Sequence, residues 1–110
     1  MKLNKTEIRM TANSLNEMLS NWSNEDIATL AGSVSTVETL HARMAAIHLP
    51  ERAGDRPIEV ELNASERRLI STALQECLRD FGQRDNWDFP VHIGGWPQEA
   101  VRLVERLKQE

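Results

Sequence analysis

The chain has one cysteine, Cys77, and no tyrosine in 110 residues. A lone cysteine excludes an internal disulfide and suits a reducing compartment. No apolar run approaches the roughly 18 residues that a helical membrane span requires, so no such span is expected. The opening residues Met1–Glu7 turn polar at once and offer no apolar stretch of secretory type, and the expected location is the cytoplasm. A basic surplus is also missing: 13 Lys and Arg stand against 17 Asp and Glu, a formal net charge of −4. Non-specific nucleic-acid affinity rests on cations that displace phosphate counterions, and this balance does not supply them. A mildly acidic protein is matched instead to a basic partner. His41, His48 and His92 share no ligand spacing with one another or with Cys77, and neither a metal nor another cofactor is expected.

What the chain does have is a sequence written twice. The stretch Leu3–Trp22 reappears as Leu62–Phe81, 59 positions on. Leu3/Leu62, Asn4/Asn63, Glu7/Glu66, Arg9/Arg68, Leu15/Leu74, Glu17/Glu76 and Leu19/Leu78 are identical pairs. Thr6/Ser65, Met10/Leu69, Asn16/Gln75, Met18/Cys77 and Trp22/Phe81 are conservative ones. A duplicated unit implies two similar modules, and a chain of this length has room for only one modest core. The expected architecture is mainly α: two tandem helical repeats, 1–49 and 58–110, that share one core in a single domain over 1–110. The polar stretch 50–57, with Pro50, Gly54 and Pro57, reads as the turn between them.

Each repeat opens on a helix-start signal. Asn4 and Asn63 stand three residues before Glu7 and Glu66, the spacing at which a cap side chain and a following acid satisfy each other's free amides. Apolar residues then recur at helical spacing, which predicts helices near 5–21 and 64–81, with Leu15, Leu19, Leu74 and Leu78 in the core. Before the second helix, Ile58-Glu59-Val60-Glu61-Leu62 alternates apolar and acidic residues as a half-buried strand does. Lys2-Leu3 holds the same place before the first, so a minor two-stranded β element is expected. A third helix is expected near 35–47 in the first repeat and near 97–109 in the second, with Pro97 in the first turn. Between the long and third helices, Ile27–Ala31 suits a short helix. Pro90 reads as a break that leaves Phe89–Ile93 extended or irregular.

Candidate functional residues gather where the repeats differ most. Asp85, Trp87 and Asp88 place a tryptophan between two acids, and His92, Gly94-Gly95 and Trp96 follow. Tryptophan is enriched at binding hot spots. Trp96, beside Pro97, reads as the core filler of the two, whereas Trp87 sits among polar neighbours. Glu17 and Glu76 recur at equivalent positions on the two long helices, where they either face solvent or receive hydrogen bonds from a partner. Cys77 and His92 are residue types of a nucleophile-and-base pair. Cys77, however, aligns with Met18 on an apolar face, which favours an inert buried thiol. No catalytic constellation emerges, and the chain is expected not to be an enzyme.

The stretch Ile27–Leu40, with Ala31-Gly32 at its turn, resembles a helix-turn-helix. Its second helix carries Glu38 where a groove-facing side chain belongs, with Arg43 as its only cation. A DNA-binding regulator is therefore the alternative reading, and a small structural or adaptor module a third.

The second repeat, Leu62-Asn63-Ala64-Ser65-Glu66, Leu69, Ala73-Leu74-Gln75-Glu76, Asp88-Phe89, Gly95, Glu99-Ala100 and Leu103, resembles small bacterial immunity proteins that accompany polymorphic toxins. Pro90 and Trp96-Pro97 depart from that pattern. The resemblance implies a non-enzymatic cytoplasmic binder of a cognate toxin domain, often a basic nuclease delivered by contact-dependent growth inhibition or a related system. Joined to the acidic and aromatic residues singled out above, this reading puts the expected toxin-binding surface on Asp85, Trp87, Asp88, His92, Trp96, Glu17 and Glu76.

Overall fold

Asn4 and Asn63 each start a long helix by the same bonds. The Asn4 side chain accepts from the Glu7 amide at 2.8 Å while the Glu7 carboxylate accepts from the Asn4 amide at 2.9 Å. The Asn63–Glu66 pair repeats this at 2.8 and 2.9 Å. Two otherwise orphaned amides are satisfied at each start. The structure, a computed structural model, describes residues 1–47, 56–81 and 88–109. It is mainly helical with one small sheet: β1 (Lys2–Leu3), α1 (Lys5–Asn21), α2 (Asn24–Ala31), α3 (Val34–Ala45), β2 (Ile58–Glu59), α4 (Ala64–Phe81), α5 (Asp88–Ile93) and α6 (Pro97–Lys108).

The sheet is short: β1 runs at once into the Asn4 cap, and three residues separate β2 from the Asn63 cap. β1 and β2 pair antiparallel, with Lys2 opposite Glu59 and Leu3 opposite Ile58. Beyond them Met1 and Val60, themselves 59 positions apart, exchange backbone hydrogen bonds of 3.0 and 2.8 Å. The alternating stretch 58–62 thus keeps only two residues in the strand. Val60 and Leu62 still bury their side chains.

Serine and glycine punctuate the shorter helices. Ser23 caps α2 through the Asp26 amide and Ser33 caps α3 through the Thr36 amide. Gly32 ends α2 at φ 88°, a left-handed conformation that glycine adopts without a Cβ penalty. The reading of Pro90 is corrected. It is the third residue of helix α5, within the first turn, where no intrahelical partner awaits an amide and a missing one costs no bond. Its carbonyl accepts from the Gly94 amide at 2.9 Å, and Phe89 and Ile93 on the same short helix are fully buried. Pro97 occupies the first turn of α6 as expected.

The buried side chains form one cluster that draws on all six helices. Leu15 and Leu74 have no exposed surface, whereas Leu19 and Leu78 are partly buried and pack against the cluster's edge. α1 packs on α3 and α4 on α6, the two long helices pack on each other, and α5 lies against both of them. Among the described residues no helix is long and apolar enough to cross a membrane.

Candidate functional site

The contact between α1 and α4 gathers corresponding residues of the two helices around one recess. A shallow groove at their C-terminal halves is lined by Ser14 and Ala73, Glu17 and Glu76, Met18 and Cys77, Asn21 and Asp80, and Trp22 and Phe81. Every one of these pairs is separated by 59 positions. Helical spacing explains the selection, because positions 14, 17, 18, 21 and 22 lie along one face of α1 and their counterparts along one face of α4. Met18, Ala73 and Cys77 form the apolar floor. Three carboxylates, Glu17, Glu76 and Asp80, stand around it.

α5 adds an imidazole to this rim. The His92 ring stacks on Phe81 with centroids 4.9 Å apart and an interplanar angle of 19°. Its Nδ1 lies 3.9 Å from Glu17 Oε1, beyond hydrogen-bond reach but close enough for charge to act when the ring is protonated. Glu17 accepts from the Asn21 side chain at 2.7 Å. Arg79 pairs with Glu76 and lies 3.8 Å from Asp80, so one cation offsets part of the acidic rim.

The groove works against thiol chemistry. Burial first, and then the carboxylates of Glu17, Asp80 and Glu76, push the Cys77 thiol up to about 12. That is the reverse of the electropositive setting that generates a reactive thiolate. Among the described residues no hydrogen bond joins Cys77 to His92, and no group of three or more His, Cys, Asp or Glu is placed to hold a metal ion.

Three of the seven expected contact residues, Glu17, Glu76 and His92, therefore meet in one place. Asp85 and Trp87 lie outside the described residues, as does His48. Asp88 opens α5, and its side chain is also outside the described set. Trp96 is corrected: it is not a core filler but the 47% exposed residue at which α6 starts, its amide donating to Glu99 at 3.1 Å. Its neighbour Gly95 sits on Thr6 and Met10, about two turns of α1 from Glu17. Asp80, Trp22 and Phe81 belong to the groove although sequence reasoning did not select them as contact residues. The offset of 59 contained the signal, since Trp22/Phe81 is one of its pairs. Val91, 74% exposed, adds an apolar side chain next to His92.

The segment resembling a helix-turn-helix does form two helices, α2 and α3, around Gly32-Ser33. Its cation is engaged by the chain itself: Arg43 donates to the Glu66 carboxylate at 2.8 Å and to the Glu61 carbonyl at 2.6 Å. No protein-family model, curated protein or solved structure matches this chain.

Proposed function

We propose that this chain is a non-enzymatic, cytoplasmic immunity-type protein that binds and neutralises a cognate toxin domain with a basic surface, such as a nuclease. The observation that carries the reading is the convergence of Glu17, Glu76 and Asp80 with Trp22, Phe81 and His92 along the α1–α4 groove. Carboxylates at a rim speed encounter with a basic partner, and aromatic side chains supply the anchoring energy that screened charge does not. The paired positions across this groove also support the view of the chain as a single domain of two repeats with one shared core.

Asp85 and Trp87, which in sequence lie between α4 and α5, and Asp88, the first residue of α5, are proposed as further toxin contacts on the strength of their residue types. Trp96 starts from the other end of α1 and contributes least. Immunity genes lie beside their toxin genes, so the test is co-expression with the toxin domain encoded by the adjoining reading frame. Survival only in the presence of this chain supports the proposal. Equal survival with and without it overturns the immunity reading.

A further inference from the structure

The two halves differ in how the shorter helix and the turn after it pack. In the second half the Gly94-Gly95 turn between α5 and α6 presses on the N-terminal half of α1. A Cβ placed on Gly95 would lie 2.5 Å from Met10 Sδ and 3.0 Å from Thr6 Cγ2, and Asn13 donates to the Ile93 carbonyl at 2.9 Å. The matching surface on α4 is Ser65, Arg68 and Leu69, the counterparts of Thr6, Arg9 and Met10 at the offset of 59. It carries a hydroxyl, a cation and a large apolar side chain in the same order.

Among the described residues no turn presses on that surface. The first half has one glycine where the second has two, and a Cβ on Gly32 would meet nothing within 4 Å. Between the end of α2, the face of α3 and the start of α4 a cleft of about 480 Å³ stands open, with Leu40 and Leu69 in its floor and Leu30, 37% exposed, in its wall. That volume falls within the range of ordinary binding pockets. Ser65 and Thr39 on its rim bring hydroxyls suited to donate to backbone carbonyls.

We propose that this cleft is a docking site for a tight, glycine-bearing turn of a partner polypeptide. The chain itself supplies the template: the equivalent surface of α1 is covered by just such a turn, with Gly95 packed closely against the Met10 and Thr6 side chains. The proposal goes beyond the toxin-binding reading and does not rest on it.

A synthetic peptide with the sequence of Pro90–Glu99, the occupant of the equivalent site, is the direct probe. Titrated at millimolar concentration into the isotope-labelled full chain, it is expected to give saturable amide shifts at Leu30, Thr39, Ser65 and Leu69. The same peptide with Gly95→Val should give none, and the chain variant Ser65→Trp, which fills the cleft from its rim, should weaken binding at least about tenfold. Absence of shifts in the unaltered chain overturns the proposal. So does an equal response to the valine peptide, which marks an unselective apolar recess. Shifts at Thr6, Met10 and Asn13 instead would show the peptide displacing the chain's own turn and would also overturn it.

Discussion

Arg43 and Arg106 make the same two bonds in opposite halves of the molecule. Arg106 donates to the Glu7 carboxylate and to the Lys2 carbonyl. Arg43 donates to Glu66 and to the carbonyl of Glu61, the residues 59 positions beyond Glu7 and Lys2. Each arginine thus ties the third helix of one half to the helix start of the other and to the segment that leads into it. Each acceptor glutamate is also the acid of its helix's capping box, so a single carboxylate serves both the cap and the link between halves.

The two links differ in weight. Glu7 is buried, while Glu66 is half-buried, and water screens the second pair more strongly. Arg106→Met is expected to cost about 1–2 kcal/mol and Arg43→Met about 1 kcal/mol or less, as read by chemical denaturation. The reverse order would contradict the burial argument.

Gly95 and Gly32 resist substitution for different reasons. Gly95→Ala drives a Cβ into Met10 and should cost about 1–3 kcal/mol by overpacking. Gly32→Ala meets open space and bears only the strain of its left-handed backbone, about 1–2 kcal/mol. A double-mutant cycle separates them. With Met10→Ala already present, the further loss from Gly95→Ala should fall below about 1 kcal/mol while that from Gly32→Ala stays unchanged.

Leu74 and Leu78 test the depth of the core. Leu74 is fully enclosed, so Leu74→Ala should cost about 2–5 kcal/mol. Leu78 lies at the cluster's edge and should lose less on the same truncation. Equal losses in denaturation would place both at the same depth.

Cys77 predicts a pH dependence. Its pKa is raised on folding, from its ordinary value of 9.0 to about 12, so above about pH 9 the folded state retains a proton that the unfolded state releases. Stability is therefore fully present below that pH and declines between the two values. In Cys77→Ala this alkaline component of the stability profile should disappear, and in the native chain alkylation near neutral pH should be slow until denaturant is added. Rapid alkylation of the folded protein would refute the protonated, sheltered thiol.

The helix starts were legible because their signals are local: Asn4 with Glu7 and Asn63 with Glu66 lie within one turn of chain. Proline reads as a breaker in sequence, whereas Pro90, in the first turn of α5, gives up no bond. Trp96 reads as a core residue in sequence, but the fully buried side chains of this stretch are Phe89 and Ile93, on the helix that contains Pro90. The Arg106–Glu7 link spans 99 positions and carries no local pattern. Its counterpart was hidden as well, since Arg43 and Arg106 are 63 apart rather than 59. The groove lay half in view. Its five pairs follow from the offset, but only the packing of α1 on α4 turns matched positions into one surface.

The measurement closest to the central claim is the association rate with the candidate toxin domain as a function of salt, for the native chain and for Glu17→Gln combined with Glu76→Gln and Asp80→Asn. Removing three carboxylates from the groove should slow association at low salt by about tenfold and flatten its salt dependence, because charge acts mainly on encounter. Identical rates and identical salt slopes for the two proteins would contradict the assignment of this groove as the surface that meets a basic partner.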